Sequence, residues 1–241
     1  SQWTGRAMSP NSRSRIAFGA AAIVAAVLAV LVAGVIAMAG RASVTDPAPD
    51  GGVADIETIT GGEKATTAGI DWDYWLAVNP DIVGWIRIPE THIDYPIVQA
   101  PEGDPDFYLT HDVYGAFNPF GAVYLDSGCN GLEAAGNSVI FAHHVNESAM
   151  FGLLARYADE EWALDHSRIL IIEPDNDVHV LAVQAADVIP GDEAAKRTEF
   201  DGKGDLMAYW RARYEPCDMK LAADAAETDH IFTFVTCSYN F

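Results

Sequence analysis

The sequence predicts a mainly β domain, a barrel or a sandwich with a few short helices, carried behind one N-terminal transmembrane helix. Three observations carry this reading. Short runs rich in β-branched and aromatic residues recur between clusters of Pro, Gly and Asp. Only two longer stretches of the C-terminal part show helical spacing. Near the N-terminus, the 25 residues from Ile16 to Gly40 carry no charge.

Composition narrows the function classes. The chain has 241 residues, 50% hydrophobic and 20% charged, which suffices for a sizeable core and sets it apart from an acidic disordered tail. Lys and Arg number 14 against 35 Asp and Glu, a net charge of −21, which argues against partners bound by phosphate neutralisation, so no nucleic acid is expected. Three cysteines are too few for a disulfide-stapled scaffold, and their odd number leaves at least one thiol without an internal partner.

In chain order, Arg6, Arg13 and Arg15 precede the uncharged run and only Arg41 follows it closely. An Ala, Val, Leu and Ile stretch over 16–40 is long enough to cross a hydrocarbon layer of ~30 Å as a helix. The positive-inside bias then puts residues 1–15 in the cytoplasm and the acidic remainder outside, a single-pass cell-membrane protein. A cleaved signal peptide, for which Ala37-Met38-Ala39 supplies a site, and a buried core helix are the other readings of that run. Residues 41–69, with Pro47, Pro49 and two Gly pairs, show no apolar periodicity and read as a flexible spacer.

The globular domain spans 70–241. Asp71 caps a short helix carrying Trp72, Trp75, Leu76 and Val78, and Asn79-Pro80 stops it. Strands are expected at Gly84–Ile88, Ile93–Gln99, Gly121–Leu125, Asn137–His143, Ile169–Glu173, Val178–Ile189 and Ile231–Cys237. Helical stripes run over Ala149–Asp159, through Met150, Leu153, Leu154 and Tyr157, and over Lys203–Tyr214, through Leu206, Met207 and Trp210.

Two residues stand out chemically. His143 and Cys237 each close an apolar strand, a place that is rigid yet reaches the domain surface. A thiolate is a nucleophile, and a nearby imidazole favours its ionised form or donates a proton to a leaving amine. Spacing alone does not bring the two together, and a buried structural cysteine is the plain alternative.

These residues carry a family resemblance. Thr233-Phe234-Val235-Thr236-Cys237 resembles the Thr-Leu-x-Thr-Cys signature of sortases, with Phe in place of Leu. Ala142-His143-His144, followed by Met150-Phe151 and Leu153-Leu154-Ala155-Arg156-Tyr157, resembles the class B pattern. Asn79–Ile86, Ile93–Gln99, Phe107–Asp112 and Gly121–Asp126 are similar to the family's earlier segments, so the likeness covers about residues 71 to 241 in order.

The resemblance implies a closed β-barrel of about eight strands, with an added helix, here Lys203–Tyr214, before the strand that ends at the cysteine. It implies that Cys237 attacks the carbonyl of a Thr-x bond in the C-terminal sorting signal of a secreted protein to form a thioester. His143 protonates the departing amine and then deprotonates the incoming one, from a peptidoglycan precursor or a pilin. His144 and Thr236 are supporting residues, Thr236 near the oxyanion or substrate groove, with a plain β-branched strand residue as the other reading of Thr236. No cofactor is implied.

One departure stands beside the match. Sortases place an oxyanion-stabilising Arg on the strand after the cysteine, whereas this sequence ends at Phe241, so that strand and its Arg are missing from the chain. Arg87, Arg156, Arg168, Arg197, Arg211 and Arg213 do not occupy the position. A fragment or truncated product and a degenerate, inactive sortase are both open. Cys129 and Cys217 either pair or remain two thiols.

His143-His144-Val145-Asn146-Glu147 is not a His-Glu-x-x-His zinc motif, and the acidic turns at Asp71/Asp73 and Asp104/Asp106 lack an EF-hand loop, so no metal is expected. Two other functions fit the same sequence. One is a membrane-tethered surface binding protein using Tyr114, Phe117 and Phe120, and the other is a hydrolytic cysteine peptidase.

Overall fold

The computed structural model describes residues 28–35, 70–134, 136–190 and 197–238. The expected cytoplasmic segment 1–15 and spacer 41–69 lie outside the described residues.

Among the described residues, eleven strands and three α-helices follow in chain order. β1 (Leu28–Val35) comes first, then α1 (Trp72–Val78), whose start is capped by Asp71, its side chain accepting from the Tyr74 amide at 3.0 Å. β2 (Ile82–Arg87), β3 (Asp94–Gln99), β4 (Val123–Leu125) and β5 (Asn137–Phe141) follow, with a 3₁₀ turn at Phe107–Leu109. A small hairpin, β6 (His144–Asn146) and β7 (Ala149–Met150), leads into a 3₁₀ segment, Gly152–Ala158, and α2 (Glu160–Asp165). β8 (Arg168–Ile172) and β9 (Val178–Pro190) precede α3 (Lys203–Tyr214), and β10 (Met219–Lys220) and β11 (Ile231–Ser238) close the order. The Ala149–Asp159 stripe expected as one helix is thus a short strand followed by 3₁₀ turns. Its residues still bury Phe151, Leu154 and Tyr157, because a 3₁₀ repeat also returns every third side chain to one face.

Nine strands form one sheet in the order β1-β11-β5-β4-β3-β2-β8-β9-β10, antiparallel except for the parallel pairs β3–β4 and β5–β11. The sheet is an open half-barrel whose edges lie 14 Å apart, which corrects the closed barrel expected from the resemblance. β9 carries β8 on Val178–Ala182 and, beyond it, β1 over Ala182–Pro190 and the two-residue β10 at Ala185 and Ala186.

β1 corrects a second expectation. Leu28–Val35, the middle of the run read as a transmembrane helix, is a β-strand paired antiparallel with β11 over its whole length and with β9 as well. No helix among the described residues is long and apolar enough to cross a membrane. The single-pass topology, with a cytoplasmic N-terminus and an extracellular domain, therefore loses the helix it rested on. An uncharged Ala/Val/Leu run has no polar face to set its period, so it suits a strand buried between two others as well as a helix. In the sheet its backbone groups are met by the otherwise unpaired sides of β9 and β11.

The core lies against the concave face, with Ile86, Ile97, Leu125, Ile140, Leu154, Ile171, Leu181, Phe232 and Phe234 packed together. α3 covers the opposite face, setting Leu206, Met207, Trp210 and Tyr214 against Val139, Ala185, Ile231 and Val235. β11 is thus buried on both sides, as the alternation of its side chains requires. A third cluster gathers Trp72, Trp85, Tyr108 and Tyr124 near α1.

Candidate functional site

The site is built on the parallel pair β5 and β11. Their register runs from Ile231↔Asn137 to Val235↔Phe141, and the Ala142 amide continues the ladder by donating to the Val235 carbonyl at 3.2 Å. Asn137 fixes that register from the far end. It is fully buried, its Oδ1 accepts from the Thr233 hydroxyl at 2.8 Å, and its Nδ2 donates to the Arg197 carbonyl at 3.0 Å. Two residues beyond the Val235↔Phe141 pair come His143 on one strand and Cys237 on the other, so both leave at the same end of neighbouring strands. Of Cys237 the backbone is described: its Cα partner on the other side is Ala29 of β1, whose partner on β9 is Ile189.

His143 is half-buried, at the turn from β5 into the β6–β7 hairpin. Its carbonyl accepts from the Phe151 amide at 3.0 Å, and its Nε2 lies 2.7 Å from the Leu109 carbonyl oxygen. The hairpin is held tightly from behind, since a Cβ on Gly152 would stand 1.9 Å from the Asn146 carbonyl oxygen. His144 opens β6, paired with Met150. Thr236 is 2% exposed, and its hydroxyl oxygen is buried with no hydrogen-bond partner among the described residues. Leaving such a group unpaired costs about 1–3 kcal/mol.

The 107–121 loop borders His143 through Leu109 and displays Tyr114, Phe117 and Phe120 to solvent, the aromatics singled out in the sequence. The two other thiols are far from nucleophilic. Cys129 and Cys217 are free and buried, and burial pushes each thiol up to about 11.

Sequence reasoning missed one charged cluster. His179 lies with Nε2 2.7 Å from Glu173 and Nδ1 3.4 Å from Glu133. The hydrogen bond to Glu173, foremost, raises its pKa above 6.5, against the opposing effect of burial. The three residues come from the β4–β5 loop, the end of β8 and the start of β9, so no local spacing announces them. They are the one group among the described residues with the donor types for a cation, yet each ring nitrogen faces its own carboxylate, the arrangement of a protonated histidine rather than of a shared ligand set.

No family model matches the chain. It is 33% identical over 89 residues to sortase B of Listeria monocytogenes, covering 37% of this chain and 35% of that protein. It is 26% identical over 162 residues to sortase B of Staphylococcus aureus, covering 66% and 64%. The chain thus spans less than two thirds of the length of these curated relatives. Among solved structures, a Bacillus anthracis protein similar to sortase B superposes with a TM-score of 0.63 at 26% identity, over 69% of this chain and 77% of that one. In both sequence and fold, then, the chain is similar to sortase B proteins.

Proposed function

We propose that the chain is a cysteine transpeptidase in which Cys237 is the nucleophile and His143 the proton carrier. The observation that carries this is the parallel register of β5 and β11, which brings these two residues to one end of adjacent strands. Cys237 attacks the carbonyl of a Thr-x bond in the sorting signal of a secreted protein, and His143 protonates the nitrogen of the departing peptide as the C–N bond breaks. The thioester is then resolved by an amine of a peptidoglycan precursor or a pilin, which gives its proton to His143 as the C–S bond breaks. Thr236, with its unsatisfied buried hydroxyl one residue before the nucleophile, supports the reacting carbonyl or the substrate backbone. His144 supports the turn that carries His143. The relatives named sortase B support the reaction class.

The test is thioester capture. The 241-residue chain, incubated with a library of Thr-centred peptides and a primary amine, is expected to give amide product and a peptide-sized mass adduct at Cys237. Cys237→Ala loses both, and His143→Gln loses turnover. Product formation by Cys237→Ala at the wild-type rate sinks the proposal.

A further inference from the structure

We propose that the main-chain carbonyl of Leu109 is the positioning group for His143, and that Gly121 is what allows this carbonyl to stand where it does. The inference rests on the reading of His143 as proton carrier and names the device that orients it.

A carbonyl oxygen only accepts, so at 2.7 Å the Nε2 of His143 carries the proton and donates it to Leu109. In the neutral ring Nδ1 then holds the lone pair, which makes it the nitrogen that takes and returns protons. The step balances around a bond that never breaks. The Cys237 thiol proton passes to Nδ1 and gives an imidazolium while Nε2–H stays on the Leu109 oxygen. That Nδ1 proton passes to the departing peptide nitrogen, and the ring is neutral again in the same tautomer. The incoming primary amine next loses a proton to Nδ1, which returns it to the cysteine sulfur as the thioester is cleaved.

The Leu109 carbonyl is held by a loop with little freedom. Tyr108 beside it is 2% exposed, and its hydroxyl donates to Asp81 at 2.8 Å and accepts from Asn79 Nδ2 at 2.8 Å. Desolvation, foremost, pushes that phenol up to about 12, so it stays a neutral donor. The Tyr108 carbonyl accepts from the Ala122 amide at 2.9 Å, and the Thr110 carbonyl from the Asn118 amide at 2.8 Å, which folds the loop back on itself. Gly121 closes that fold at φ +59, where a Cβ would lie 2.4 Å from the Tyr108 carbonyl oxygen and 2.7 Å from that of Leu109. Any side chain there displaces the carbonyl that holds His143. Gly115 in the same loop supplies the comparison, with φ +73 and nothing within 4 Å of its Cβ position. Alanine at 115 bears the cost of the left-handed backbone alone, and alanine at 121 adds the collision.

The experiment uses the full chain with 15N-labelled histidine. Long-range 15N–1H spectra are recorded for the wild type, Gly115→Ala and Gly121→Ala, the His143 signal being assigned by its loss in His143→Gln. Amine transfer is measured in parallel. Expected are the Nε2–H pattern for the wild type, the same pattern and rate for Gly115→Ala, and a mixed-tautomer pattern for Gly121→Ala with kcat down about 10²-fold at unchanged KM. An Nδ1–H pattern in the wild type overturns the proposal, and this reading does not depend on any variant folding. Retention of the Nε2–H pattern by Gly121→Ala overturns it too. If the spectra behave as expected while Cys237→Ala still transfers, the positioning stands and the transpeptidase reading falls.

Discussion

Two of the three thiols, Cys129 and Cys217, are buried, and that burial is chemically readable. Because burial holds Cys129 and Cys217 near 11, both are almost fully protonated at neutral pH and slow toward alkylating reagents. Brief iodoacetamide treatment of the native chain at about pH 7.5 is expected to add a single carbamidomethyl group, at Cys237. Peptide mapping that finds the label on Cys129 or Cys217 contradicts this. His179 offers a second measurement. Its folded-state pKa lies above that of the unfolded chain, so its two carboxylate contacts, with Asp177 also near, contribute full stability below about pH 6.5 and lose it as pH rises through the folded value. Thermal unfolding of wild type and His179→Gln should therefore differ most in mild acid and converge at alkaline pH. A difference independent of pH rules the ion-paired role out. At this scale the placement of His143 and Cys237 at strand ends was legible because each follows an apolar run. The Leu109 carbonyl was not, since a main-chain oxygen leaves no residue type to read.

At the level of elements, α3 and β11 hold the site side of the sheet together. The Leu206, Met207, Trp210 stripe was visible from its spacing, and the structure sets it against Val139, Ile231 and Val235. Trp210 is 1% exposed, and Trp210→Ala is expected to cost about 3–5 kcal/mol in urea unfolding through the cavity it leaves. A loss below 1 kcal/mol would show that α3 is not part of the cooperative core. The strands of β-branched residues were equally legible, whereas the Ala149–Asp159 stripe was not. Its apolar spacing of three and four fits a helix, but the turn at Phe151, held by the His143 carbonyl, and the Asp159 cap, which accepts from the Trp162 amide, divide it into 3₁₀ and α segments.

For the whole molecule, the misread segment is the informative one. Leu28–Val35 lies between β9 and β11, and the register with both is set by backbone groups. Val32 sits mid-strand, opposite Phe234 on one side and Ala186 on the other. Val32→Pro removes its amide and is expected to cost about 3 kcal/mol or more of domain stability, read by denaturant unfolding of the full chain. Unchanged stability would mean that the segment contributes nothing to the sheet. No sequence pattern distinguishes this strand from a membrane helix, because the preference is decided by two partners far along the chain rather than by the run itself.

That distance has a kinetic side. The pairing of Ala29 with Cys237 joins positions about two hundred residues apart, and such contacts repay the entropy of loop closure only after the intervening chain has organised. The strand bearing Cys237 therefore receives its β1 neighbour late in folding. Until then one side of β11 is an open hydrogen-bonding edge, able to recruit a strand from another molecule, so the refolding yield of this protein should fall as its concentration rises.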